Sequence, residues 1–306
     1  MNTGFITNSL TGIGIKDINA IAAWAAANGF STLEIGPAIP LDEKSFDAVL
    51  SGGKISFSAF IYCRNFLSGN PEEAENHRSN LLQRIRLAKK FGIKKVICTT
   101  GVKEASFSLD RPEGFQPEAS IDASAEFIKG FIDEAEKNDV NICFENCPTM
   151  GNIAISPYIW DMLFEKIDSR RVGLVYDPSH LVWQFIEPYD IITCYRDRIF
   201  HVHGKDCELD LQDLKRTGIL HHISREKESA NFPHGNRKNL WWRYRLPGLG
   251  DLDWSKIVSR LYEIGYAGTI SIEHEDPVWS GNEEKVKTGL ILAKKHIRQY
   301  LVDSVS

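Results

Sequence analysis

The sequence predicts an α/β protein, a (β/α)8 TIM barrel with a long loop after strand seven, and three observations carry that prediction. Short apolar runs rich in β-formers alternate with longer segments of helical periodicity from one end of the chain to the other. Gly or Asn, which tolerate positive φ, stands ahead of several runs, where it closes the preceding helix. Four runs in the second half each finish on a side chain that can ligate a metal, at the strand ends where a barrel of this kind carries its chemistry.

Strand one is expected over Gly4 to Asn8, and a helix from Ile18 to Asn28 closes at AANGF ahead of strand two, Thr32 to Ile35. Strand three spans Ile55 to Tyr62, and the helix Glu73 to Lys90 closes at KKFGI before strand four, Lys95 to Thr99. A helix over Ser120 to Asn138 closes at EKNDV before strand five, Asn141 to Glu145; the helix Pro157 to Ile167 then leads to strand six, Val172 to Asp177. After strand seven, Ile199 to His203, the stretch from Cys207 to Asp251 breaks the even spacing, and a connection of that length usually has a function such as a lid. The helix Leu252 to Ile264, strand eight over Thr269 to Glu273 and a helix from Glu283 to Val302 complete the pattern. No Pro/Ser-rich linker or shift of composition divides the chain, so residues 1–306 are read as one domain.

An apolar fraction of 42% and a charged fraction of 25% suit a chain that buries a large core. A formal net charge of −5 without a basic run argues against nucleic acid as a partner. The N-terminal MNTGFITNSL has neither a charged leader nor a long apolar core, and no stretch has the length of a membrane span, so no membrane partner and a cytoplasmic location are expected. Six cysteines, at 63, 98, 143, 147, 194 and 207, lack CxxC spacing and are expected to be reduced. Cys143 and Cys147 flank Glu145 and are read as small buried hydrophobes rather than zinc ligands.

The four strand ends are ICFENCP with Glu145, VGLVYDPSHL with Asp177 and His180, IFHVHGKD with His201 and His203, and TISIEHEDP with Glu273. Side chains alternate along a strand, so Cys143 and Glu145, Val175 and Asp177, and His201 and His203 each share a face. If those faces point inward, Glu145, Asp177, His203 and Glu273 converge as three carboxylates and one imidazole, a donor set for one divalent metal ion. Such an ion would hold adjacent oxygens of a sugar and polarise its carbonyl, with Glu145 and Glu273 as base and acid on opposite sides. Each residue also has a plainer reading: a strand-end Glu is often simply solvated, and Asp177 before Pro178 can start a turn. Four coincidences at four strand ends favour the site. His180 is assigned to the substrate or to the support of a ligand. His201 is either a layer residue of the barrel interior or a substrate contact, and His274, which alternates away from Glu273, is assigned to packing.

The long loop carries His221, His222, Arg225, Arg243 and Arg245 among Trp241, Trp242 and Tyr244. Trp faces stack on sugar rings and Arg grips carboxylates or phosphates, which makes Trp242 and Arg243 candidate substrate contacts. The alternative is a loop packed on its own aromatics or on a neighbouring subunit. No GxxxxGK[ST] motif is present, and PGLGD is too short and generic to establish a phosphate site.

These segments resemble the xylose isomerase-like superfamily of sugar isomerases and epimerases, which also contains inosose dehydratases and endonuclease IV-type repair enzymes. Glu145 in FENCP, Asp177 and His180 in DPSH, His203 in HVHGKD and Glu273 in SIEHED match its pattern in order, and PGLGDLDW from Pro247 to Trp254 is similar to its glycine-rich segment before a late helix. The resemblance implies that Glu145, Asp177, His203 and Glu273 bind one ion, with Mn2+ foremost and Mg2+, Co2+ or Zn2+ as alternatives, and that the two glutamates exchange the substrate proton. Endonuclease IV relatives carry extra histidines on earlier strands, whereas ISFSAFIY and KKVICTT have none. Lys205 and Asp206 in HVHGKD resemble a His-x-Lys-Asp signature of inosose dehydratase-like lyases, so a lyase or dehydratase acting on a keto-sugar is the competing expectation; Lys205 is either a substrate contact or a salt-bridged structural residue. A C-glycoside-cleaving type would imply a small partner subunit. The substrate implied is a small-molecule carbohydrate and the assembly a homodimer or homotetramer; a sugar-binding homologue without catalysis is the third reading.

Overall fold

The structure, a computed structural model, describes residues 1–102, 117–149, 151–219 and 241–302. Eight parallel strands close into a barrel: β1 (Asn2–Ile6), β2 (Thr32–Ile35), β3 (Ser56–Ile61), β4 (Lys95–Cys98), β5 (Asn141–Glu145), β6 (Val172–Tyr176), β7 (Ile199–Gly204) and β10 (Thr269–Ile272). Each pairs with its sequence neighbour, and β10 lies between β7 and β1 to complete the ring. β8 (Asp206–Leu209) and β9 (Trp242–Arg245) form a separate antiparallel pair.

Alternation along the strands divides the apolar residues between two cores. Phe5, Leu33, Phe60, Val96, Phe144, Leu174, Val202 and Ile272 face the helices. Ile6, Ala59, Ile61, Cys63, Ile97, Cys143 and Val175 form a second cluster with Phe200. The register of β6 against β7 shifts between Leu174 and Val175, which leaves Phe200 as the extra residue of a bulge. Gly173 makes room for it, since a Cβ there would lie 2.4 Å from the Phe200 ring.

The surrounding helices follow their local signals. Asp17, Asp42, Asn70, Asp253 and Asn282 each cap a helix by accepting from backbone N–H groups of its first turn. The helix Trp254–Glu263 buries Trp254, Ile257, Val258 and Leu261 along one face. Gly92 and Gly265 close helices at positive φ as the sequence predicts. In EKNDV that conformation falls on Asp139 (φ 54°) rather than Asn138, and Lys94 and Arg171 hold the Asp139 carboxylate.

Several elements depart from expectation. The helix expected over Ser120 to Asn138 is two, Ile121–Lys129 and Ile132–Asn138, interrupted at Gly130 and Phe131. A helix at Glu43–Ser51, absent from the sequence reading, is capped by Asp42. Asn8, expected at the end of strand one, starts the short helix Asn8–Thr11. The long connection is not structureless: it leaves β7 through β8 and the helix Leu211–Thr217 and returns through β9. His221, His222 and Arg225 lie outside the described residues. Among the described residues no helix is long and apolar enough to cross a membrane.

Candidate metal centre

The ends of β5, β6, β7 and β10 bring Glu145, Asp177 and Glu273 around His203 Nδ1. His203 Nδ1 lies 2.7 Å from Glu145 Oε2, 3.4 Å from Glu273 Oε2 and 3.9 Å from Asp177 Oδ2. Glu145, Asp177 and His203 are buried, while Glu273 borders the opening. Neighbouring bonds aim these groups. Asn146 and Asp177 exchange two hydrogen bonds, Asn146 Nδ2 donating to the Asp177 carbonyl at 2.9 Å and Asp177 N to Asn146 Oδ1 at 3.1 Å, so the ends of β5 and β6 are tied together. Ser179 donates twice to Asp177 Oδ1, from N at 2.9 Å and Oγ at 2.7 Å, which leaves Oδ2 for the cluster.

Both carboxylate oxygens of Glu145, Asp177 Oδ2 and His203 Nδ1 are buried without a hydrogen bond; the short Glu145 to His203 approach lacks hydrogen-bond geometry. Orphaned buried polar atoms are costly, at about 1–3 kcal/mol each, and a buried anion needs a cation. Asp177, His203 and Glu273 have ligand atoms within 4.8 Å of one another, as do Glu145, Asp177 and His180, so an oxygen-rich donor set with imidazole nitrogen suits a divalent ion here.

Lys205 packs against these carboxylates. Its ammonium is buried and lies 2.6 Å from Glu273 Oε2, 3.0 Å from Glu275 Oε2 and 3.2 Å from Asp177 Oδ2, with the Tyr244 ring 4.6 Å away. It also meets His180 Nε2 at 3.1 Å, and Tyr244 Oη meets His180 Nδ1 at 2.9 Å. An ammonium only donates, so His180 Nε2 accepts and Nδ1–H donates to the tyrosine oxygen. Burial, with Lys205 alongside, holds His180 well below the usual imidazole range, in keeping with a neutral ring. Burial pushes Asp177 up to about 7 despite Lys205. Burial acts the same way on Glu273, but Lys205 and His203 overcome it and hold that carboxylate well below its usual range.

Beneath the cluster, Glu34 reaches inward from β2. Its Oε2 lies 2.8 Å from His201 Nε2 and its Oε1 lies 3.2 Å from His203 Nε2, all three residues being fully buried. Burial opposes ionisation of Glu34, yet His203 and His201 draw it down to about 2. Glu34 and Glu275 were absent from the sequence-derived site. Their signals were an acid inside the apolar run TLEIG and a second acid at the same spacing in SIEHED.

The remaining candidates sit differently. Asp206, placed by sequence beside the metal ligand, turns away from it and accepts from Cys207 N, Gly248 N, Leu252 N and Trp254 Nε1 at 2.8 to 3.1 Å. It pins the return of the long connection. Arg243 forms a forked ion pair with Glu208 across the β8–β9 ribbon, and Arg245 joins Glu208 to Asp276. Trp242 is buried, stacked on Trp183 with ring centroids 4.5 Å apart and edge-on to Tyr244. His274 packs near Gly289, where an added Cβ would lie 2.7 Å from Nε2.

A parallel barrel with an acid-rich cluster of metal-ligating groups at the C-terminal ends of its strands defines the class. Residues 22–296 match the family model of the xylose isomerase-like TIM barrel, and the chain belongs to that family. It is 27% identical over 329 aligned positions to the uncharacterized protein YfiH of Bacillus subtilis, covering 98% of this chain and 100% of that one. It is 24% identical over 284 positions to an inosose dehydratase of Geobacillus thermodenitrificans, covering 90% and 86%. Among solved structures, D-psicose 3-epimerase of Clostridium cellulolyticum matches with a TM-score of 0.70 at 15% identity, over 98% of this chain and 99% of that one. The IolI protein, solved with a zinc atom, matches at 0.66 and 17%, over 98% and 96%. At these identities the structural likeness shows the shared fold.

Proposed function

We propose that the protein is a divalent-metal-dependent sugar isomerase or epimerase, acting on a ketose or related polyol by removing a proton from the carbon beside the carbonyl. The observation that carries the reading is the convergence of Glu145, Asp177 and Glu273 on His203 Nδ1, with four of the buried atoms lacking a hydrogen bond. These four side chains would hold the ion, manganese first, with magnesium, cobalt or zinc accepted by the same donors. When bound, the ion supplies the positive charge that polarises the carbonyl and steadies the enediolate. Glu145 takes the proton from one side. Glu273, oriented by Lys205, serves the other side, and Tyr244, held by His180, orients a substrate hydroxyl.

Lys205 favours a second reading, elimination from a keto-sugar or inosose. A buried ammonium 2.6 Å from Glu273 is placed to hand a proton to a departing hydroxyl after the same first step, so that one base removes H+ and one acid releases water. The similarity to an inosose dehydratase supports this reading too. Mass spectrometry of ketoses, inososes and 3-keto-glycosides incubated with manganese-loaded protein in deuterated water separates the two. An isomer carrying one added deuteron is expected for the first reading, and a dehydrated or cleaved product for the second. Absence of exchange and of product throughout the panel would remove both.

A further inference from the structure

We infer that Glu34 is the positioning residue of the centre: its carboxylate takes the Nε2–H of His203 on one oxygen and the Nε2–H of His201 on the other, and so turns His203 Nδ1 towards Glu145, Asp177 and Glu273. The inference rests on the proposed metal centre for its consequence, but not for its geometry. β2 and β7 are not neighbours in the barrel, since β1 and β10 lie between them, so Glu34 makes these contacts across the lumen. The two bonds, 2.8 Å from His201 and 3.2 Å from His203, use separate oxygens. A neutral carboxylic acid would turn its own O–H against one of the two N–H groups, so only the carboxylate satisfies both rings.

An imidazole has two nitrogens, and the bond made by one decides what the other offers. With Nε2–H committed to Glu34, His203 presents Nδ1 as the nitrogen free to ligate. The neighbours of Nδ1 suit that role: Glu145 at 2.7 Å, Glu273 at 3.4 Å and Asp177 at 3.9 Å are all acceptors, which a proton on Nδ1 satisfies in the metal-free protein and a divalent cation would satisfy in its place. His201 stands edge to face with His203, ring centroids 5.7 Å apart, and its Nδ1 has no hydrogen-bond partner. Its one bond goes to Glu34, so His201 acts by holding the carboxylate in place. A histidine ligand whose far nitrogen donates to a carboxylate is better oriented and more basic, and loss of such a partner typically weakens metal binding by about 10–100-fold.

The test combines tautomer and affinity. In protein labelled with nitrogen-15 at histidine, long-range proton–nitrogen NMR is expected to show His203 with both nitrogens protonated where the metal-free ring is charged, and with its proton on Nε2 alone after loading with Zn2+, which is diamagnetic. Neutral His203 carrying its proton on Nδ1 in the wild-type protein would overturn the inference without any variant. Glu34→Gln offers one acceptor and one donor where two acceptors stood. It should move the His203 proton to Nδ1 and weaken Mn2+ binding by titration calorimetry about 10–100-fold at unchanged stoichiometry, with an unaltered far-ultraviolet dichroism spectrum. His201→Ala, which leaves the Glu34 to His203 bond in place, should keep the His203 tautomer and most of the affinity. Equal affinity in Glu34→Gln and wild type would refute the positioning role, as would two ions per chain falling to one, which would make Glu34, His201 and His203 a metal site of their own. If wild type binds no divalent ion, the metal reading fails, and the His203 Nε2–H resonance still decides the role of Glu34: it should shift in Glu34→Gln, and an unchanged resonance would refute the contact.

Discussion

Lys205→Met should destabilise the metal-free protein by about 3–5 kcal/mol and the metal-loaded protein by much less. Methionine keeps the length and apolar stem of lysine, so the substitution removes the charge with little change in packing. The ammonium lies within 3.2 Å of Asp177, Glu273 and Glu275, and without it His203 is the remaining cationic partner of the buried carboxylates. Glu275 is half-exposed and contributes little of the loss, because water screens it. The unfolding entropy of a chain of 306 residues is about 0.6 kcal/mol/K, so the metal-free melting temperature should fall by roughly 5–8 °C. A divalent ion supplies the missing charge, and loss of the competing ammonium should leave the variant more responsive to Mn2+ than wild type. Burial holds Asp177 up to about 7, so its proton is bound in the metal-free fold at pH values where an unfolded aspartate has lost it. The fold therefore loses this part of its stability as pH rises towards 7, and the deficit of the variant should be larger at pH 8 than at pH 6. Calorimetric melting of both proteins at the two pH values, in chelator and in excess Mn2+, measures every term. A deficit of the same size with and without Mn2+ would refute the argument that Lys205 and the ion balance the same carboxylates.

Glu145→Gln and Glu273→Gln should each lower exchange of substrate hydrogen with deuterated solvent by about 100-fold or more while the melting transition stays cooperative; full exchange in both removes their acid and base roles. Affinity for Mn2+ should rise between pH 6 and pH 8. Asp177 is held up to about 7, and His203, although burial opposes its charge, is kept well above the usual imidazole range by Glu145 and Glu34, so both must release protons to ligate. Titration in buffers of different ionisation enthalpy reads that release, and its absence counts against these two ligands. Asp206→Ala orphans the N–H groups of Cys207, Gly248, Leu252 and Trp254 and should cost about 3–5 kcal/mol, with Asp206→Asn costing less because one oxygen still accepts. Chemical denaturation of the two variants checks the order, and equal losses would show that the hydrogen bonds are not the cause.

The parts of the fold that were legible in the sequence are those governed by short-range periodicity. Buried parallel strands read as apolar runs, and alternation within them put Glu145, Asp177 and His203 on faces that the barrel closes upon. The β8–β9 ribbon was not legible because DCEL and WRYR are short and charged. Their charges, Glu208 against Arg243, find each other only once residues 35 positions apart in register are paired, which local pattern does not disclose. Asp206 shows where the same rule was stopped too early. Continued past His201 and His203, alternation sends Lys205 inward and Asp206 outward, as the structure has them, so adjacency to a ligand in sequence was the wrong guide and strand parity the right one. Glu34 exposes a deeper limit. An acid within TLEIG breaks an apolar run, and that much is visible, but its partners lie 167 and 169 residues away on a strand that does not adjoin β2. What such an acid is for depends on a contact across the lumen, and that contact exists only after the ring has closed.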